Sequence, residues 1–85
     1  MPIVNGGDEK MLIVVAESYL AENRHAPEAI RVRALLKSLR AGEKVEALGQ
    51  SSRPVIRELV AWGQPRSSSL TNYVLVRILE RIGPA

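Results

Sequence analysis

The chain has 85 residues, no cysteine, and 12 Lys and Arg against 9 Asp and Glu, for a net charge of +3. That length supports one domain with a single core, small enough that pairing with a second copy would add usefully to the buried apolar surface, and the missing cysteines exclude a disulfide framework or a thiolate metal site. The first ten residues lack a basic segment and a small-residue cleavage pattern, and no apolar run approaches the roughly 20 residues of a membrane span, so a soluble, cytoplasmic protein with no membrane partner is expected.

Asn5-Gly6-Gly7 is a chain breaker and Asp8 a suitable N-cap, which together predict a helix over residues 8–23. Met11, Leu12, Ile13, Val14, Val15, Ala16, Tyr19 and Leu20 cover more than one of its faces. A strand over 11–15 competes because the run is rich in β-branched residues, but no second convincing strand exists to pair with it. Residues 24–27 form a break, with Pro27 expected in the first turn of a second helix. Ala29, Val32, Leu36 and Leu39 give that helix an inward stripe, widened by Ile30 and Leu35, with Arg31, Arg33, Lys37 and Arg40 largely off it. Gly42 stops it.

Residues 43–62 read as two short helices hinged at Gly49, the layout of a helix-turn-helix. Glycine accepts the left-handed conformation of a tight helix exit. Ser51 or Ser52 can cap the second helix, and Pro54 falls in its first turn, where the missing N–H costs nothing. Val55, Leu59 and Trp62 then form a buried stripe over 52–62, with Arg53 and Arg57 one turn apart on another face. Such a helix can lie on a core and enter a major groove. Residues 63–66 form a loop, Ser67 to Ser69 supply candidate caps, and a closing helix runs over 68–83 before Gly83-Pro84. Leu70, Tyr73, Val74, Leu75, Val76, Ile78, Leu79 and Ile82 make it too apolar to bury all its surface within so small a domain. The expected fold is all-α, a single five-helix domain, and the expected assembly a homodimer joined through Leu70, Tyr73, Val74 and Ile78, with the 8–23 helix competing for that role.

Positive charge concentrates where the motif lies. Residues 1–23 carry Asp8, Glu9, Glu17 and Glu22 against Lys10, whereas 24–66 carry nine cations, from Arg24 to Arg66, against Glu28, Glu43, Glu46 and Glu58. This is the pattern of a phosphate-neutralising surface, although a solvated charged face has the same composition.

With these pieces placed, the chain resembles small bacterial and phage repressors with a Cro-like helix-turn-helix, and more narrowly those of broad-host-range plasmids. Residues 36–40 match the supporting helix, 45–51 the first motif helix and turn, Val55 the buried position of the recognition helix, and Gly63 with Ser69-Leu70 and the run to Gly83 the closing loop and helix. The match spans roughly 29–83. Val45 stands where the family usually has alanine, and Glu58 where it often has an apolar residue, which leaves Leu59 to take over that burial. The resemblance implies transcriptional repression by a dimer bound to a palindromic DNA operator.

On this reading Ser52, Arg53 and Arg57 contact base edges, one of the arginines pairing guanine with two bonds, while Lys44, Gln50, Ser51 and Arg66 hold phosphates. No cofactor, metal or catalysis is required, and a co-repressor protein is left open. Enzyme chemistry finds little support. His25 is the sole histidine and sits in a polar turn; the serines lack a nucleophile elbow; Gly6-Gly7 and Gly42 lack the lysine and spacing of a phosphate loop. Glu43 and Glu46, three apart, suit a helix first turn better than a paired acid and base. Trp62 reads as a core anchor, and Tyr73 as core or interface. The rival function is a helical interaction module or inhibitor that binds an acidic protein through the 24–66 surface, which leaves residues 49–57 without a purpose.

Overall fold

The computed structural model describes residues 6–83; Asn5 and Pro84, read above as parts of the flanking breakers, lie outside them. Four α-helices form: α1 (Gly6–Glu22), α2 (Ala29–Arg40), α3 (Ser52–Gly63) and α4 (Ser69–Ile82), with single 3-10 turns at Val45–Ala47 and Gln64–Arg66. No strand occurs among the described residues, so the apolar run at 11–15 is helical.

The first helix is part of the shared core. It packs on α2, α3 and α4 alike, because its apolar residues cover more than one face. Leu12, Val15, Ala16 and Tyr19 enter a core shared with Val32, Leu35, Leu36 and Leu39 of α2, Val55, Ile56, Leu59 and Val60 of α3, and Leu75, Ile78 and Ile82 of α4. At roughly 25 cal/mol per Å² of apolar surface removed from water, this shared core is the main source of stability. Gly63 closes α3 against α1 and α4, where a side chain would meet Leu75 Cδ1 at 3.3 Å and Val15 Cγ1 at 3.4 Å. Trp62 is half-buried and meets Tyr19 edge-on, with ring centroids 5.5 Å apart.

Helix ends follow the sequence in some places and depart from it in others. α2 starts at Ala29, so Pro27 belongs to the preceding turn, where His25 is exposed. α2 stops where expected. Gly42 takes φ +95°, and the N–H groups of Glu43 and Gly42 donate back to the carbonyls of Ser38 and Leu39 at 3.2 and 3.0 Å, which closes the C-terminal cap. Ser68 caps α4, its Oγ accepting from the Thr71 N–H at 3.2 Å.

The five-helix expectation is corrected at residues 43–51. The expected first motif helix is one 3-10 turn, and Gly49 does not adopt positive φ; Gly42 and Gly83 do so among the described residues. Only nine residues separate Gly42 from Ser52, too few for a helix that must also reverse direction, given the cost of nucleating each helix. The N–H of Val45 is also diverted from helical pairing, because it donates to the Glu9 carboxylate on α1 at 2.9 Å. α2 and α3 are therefore joined by an irregular segment anchored at its buried Val45, rather than by a two-helix hinge.

Candidate nucleic-acid interface

The approach to α3 determines what its first residues can offer a ligand. Ser51 occupies the N-cap position with helical torsions, φ −63° and ψ −19°, and makes no side-chain cap bond. The capping expectation for Ser51 and Ser52 fails because the backbone already turns: Ser52 N–H donates to the Gly49 carbonyl at 2.9 Å and Arg53 N–H to that of Gln50 at 3.1 Å. The Ser51 hydroxyl is thereby left exposed and without a capping duty, alongside exposed Lys44 and Gln50.

Along α3, Val55, Ile56, Leu59, Val60 and Gly63 face the core, as the sequence stripe requires, and Leu59 takes the burial that Glu58 cannot. Pro54, Glu58 and Ala61 lie outermost. Arg53 and Arg57 are half-buried on one edge of the helix, toward the end of α4. Arg57 Nη2 donates to the Gly83 carbonyl at 3.3 Å. Ser52 is half-buried and lines the clefts on both flanks of the helix start. The cleft toward α2 is bordered by Arg31, Ser38, Ser51, Ser52 and Pro54. Its Arg31, which sequence reasoning placed only on a charged face, stands across from the α3 start.

The structure therefore places Gln50, Ser51, Ser52, Arg53 and Arg57 on the approach to α3 and along its first half, with Lys44 just before the Val45–Ala47 turn, and separates Arg66 from the α3 start. A 12-residue helix at about 1.5 Å per residue puts Arg66 roughly 18 Å from the Ser51 and Ser52 end of that group. Arg66 is occupied as well: Nη1 donates to the Trp62 carbonyl at 2.7 Å, and the guanidinium lies 4.6 Å from the Trp62 ring centroid.

An ion cluster behind the segment has no counterpart in the sequence reading. Asp8 and Glu9, near the start of α1, are buried. Arg77 pairs with Asp8, and Arg81 reaches Asp8, Glu9 and Glu46. The Arg77 hydrogen bond, opposed by burial and aided by Arg81, holds the Asp8 carboxyl below its usual range. Arg81 does the same to Glu46. Glu46 thus acts as a tether, and Glu43 lies outside the turn in irregular backbone.

The closing helix divides its apolar residues between core and surface. Leu70 is 73% and Tyr73 64% exposed, with Val76 also exposed and Val74 half-buried. Ile78 is corrected: it is 0% exposed within the protomer, because it shares the inward stripe of Leu75 and Ile82, and so cannot meet a second chain. Among the described residues no helix is long and apolar enough to cross a membrane, and no group of three or more His, Cys, Asp or Glu is arranged to hold a metal ion. Comparison with known proteins found no matching family model, no matching curated protein and no matching solved structure.

Proposed function

We propose that this chain is a sequence-specific double-stranded DNA-binding repressor that acts as a homodimer on operators with inverted half-sites. The observation that carries the reading is the set of donors on the approach to α3 and along its first half: exposed Lys44, Gln50 and Ser51, with Arg53 and Arg57 on one edge of the helix. Lysine and backbone-adjacent hydroxyl and amide groups suit phosphate oxygens, and arginine suits the two acceptors of guanine. Arg31 joins the phosphate-facing set from across the cleft. The irregular 43–51 segment does the work that a first motif helix does in the repressors the sequence resembles, carrying the chain from the supporting helix to the reading helix. Leu70 and Tyr73, with the edge of Val74, are the apolar surface through which a second copy would pair.

A second reading draws on a different feature. Between α1 and α2 lies a groove floored by Leu20 and Leu36 and rimmed by Arg33, Lys37, Arg40 and Glu17, chemistry that would suit an acidic protein segment. It lies on the opposite flank of α2 from Arg31 and the α3 start.

Selection from a random-sequence duplex pool, followed by mobility shift over a salt series, separates the two. A repressor enriches a palindromic sequence and keeps it against non-specific competitor. Binding that selects no sequence, or no binding to duplex at all, overturns the repressor reading and leaves the acidic-protein reading in its place.

A further inference from the structure

The cluster of Asp8, Glu9, Glu46, Arg77 and Arg81 holds the segment that leads to the proposed DNA surface, and its Glu46 and Arg81 line the same cleft as Ser52 and Arg53. Arg81 forms a two-pronged pair with Glu46, Nε to Oε2 at 2.8 Å and Nη2 to Oε1 at 2.5 Å. The same Nη2 reaches Glu9 Oε2 at 3.0 Å, and Nη1 reaches Asp8 Oδ2 at 3.0 Å. Glu9 Oε2 in turn accepts the buried N–H of Val45 at 2.9 Å. One guanidinium from α4 therefore grips the 3-10 turn twice, at its first backbone N–H through Glu9 and at its second side chain directly.

Stability alone is a poor reason for this arrangement. Two carboxylates and part of a guanidinium are withdrawn from water, and apolar residues of similar volume commonly stabilise as well or better. Glu9 Oε1 is buried with no hydrogen-bond partner, a further cost. What paired, planar groups supply and an apolar contact does not is fixed direction. The directed object here is the turn whose neighbours on either side are Lys44 and the 48–51 approach to α3.

We propose that Arg81 is a positioning residue for DNA recognition: through Glu9 and Glu46 it sets the Val45–Ala47 turn, and with it Lys44 and the start of α3, where a specific duplex can be told from a non-specific one. This rests on the DNA-binding reading above. Non-specific attraction depends on charge and tolerates displacement, whereas base readout requires register. Loss of the grip therefore lowers discrimination more than it lowers general affinity.

Two single variants test this, because they alter charge in opposite senses. Arg81→Gln removes a positive charge and Glu46→Gln removes a negative one. Glu46 lies at the exposed edge of the cluster, so its variant retains the buried half and keeps the test available if Arg81→Gln fails to fold. Each full-length variant, confirmed helical by circular dichroism, is measured for amide hydrogen exchange at Val45 without DNA, and for affinity toward the wild-type-selected duplex and a scrambled duplex. Both are expected to exchange the Val45 amide faster by about tenfold and to lose about tenfold in the specific to non-specific ratio. Unchanged exchange at Val45, or faster exchange with full discrimination, overturns the proposal. So do ratio changes of opposite sign in the two variants, which would mean bulk charge. If the wild type itself selects no duplex, the DNA reading has failed and the proposal falls with it; failure confined to the variants' behaviour leaves that reading standing.

Discussion

Arg57 of α3 donates from Nη2 to the carbonyl oxygen of Gly83, at the end of α4, over 3.3 Å. Under the proposed DNA-binding role, an arginine assigned to read a base is thus also a brace between α3 and α4. A duplex would have to draw this guanidinium away from Gly83 or use the donors that the bond leaves open.

Replacing Arg57 with alanine should therefore have two separable effects. Discrimination at one base position should fall by about 1–3 kcal/mol, and global stability by about 0.5–1.5 kcal/mol. Competition binding against single-base operator variants reads the first, and denaturant unfolding the second. Lower stability with discrimination intact would leave Arg57 a brace alone.

Lys44→Ala should act differently, since Lys44 is exposed on irregular backbone beside the α2 end. Specific and non-specific affinities should fall by similar factors, and the slope of log affinity against log salt should decrease by about one. A loss confined to one base position would instead place Lys44 at a base edge.

On the closing helix, Leu70→Glu and Tyr73→Glu should leave the helical fold intact and weaken self-association and operator binding together, because both positions are exposed in the protomer. Ile78→Glu should unfold the protein, since a carboxylate there enters the core at a cost of several kcal/mol. Sedimentation and circular dichroism on the three variants check this. Dimers that survive both surface substitutions would move the interface elsewhere, with exposed Val14 of α1 the next position to probe.

The Asp8 carboxyl titrates below its usual value of 3.8, held there first by the Arg77 hydrogen bond against the opposing effect of burial, with Arg81 assisting. A carboxyl depressed on folding contributes stability that is complete above its unfolded value and is lost as pH falls through the folded one. Asp8→Asn should accordingly cost about 1–2 kcal/mol at neutral pH. That deficit should shrink toward zero as pH drops below 3.8. Denaturant midpoints across pH 2–7 provide the measurement, and a constant deficit would mean that Asp8 acts by shape rather than charge.

Much of this protein follows from local pattern. The four long helices, the Gly42 stop, the Ser68 cap, the inward stripe of α3 and the transfer of burial from Glu58 to Leu59 all depend on residues within a few positions of one another, and the sequence displays those directly. The candidate donors Lys44, Gln50, Ser51, Arg53 and Arg57 were legible for the same reason. They fall within a span of 14 positions, 44–57. Tertiary structure alone decided the rest. The anchoring of the 43–51 segment depends on Glu9, which lies 36 residues before the backbone N–H that it accepts. The ion cluster joins positions 69 to 73 apart, which no periodicity can foretell. Ile78 and Tyr73 are equally plausible as interface residues in the helical pattern, and only the packing of α4 on the rest of the domain buries one and exposes the other. Separations of that size are bridged by the packing of whole helices, and the pairings they create depend on where each helix comes to lie.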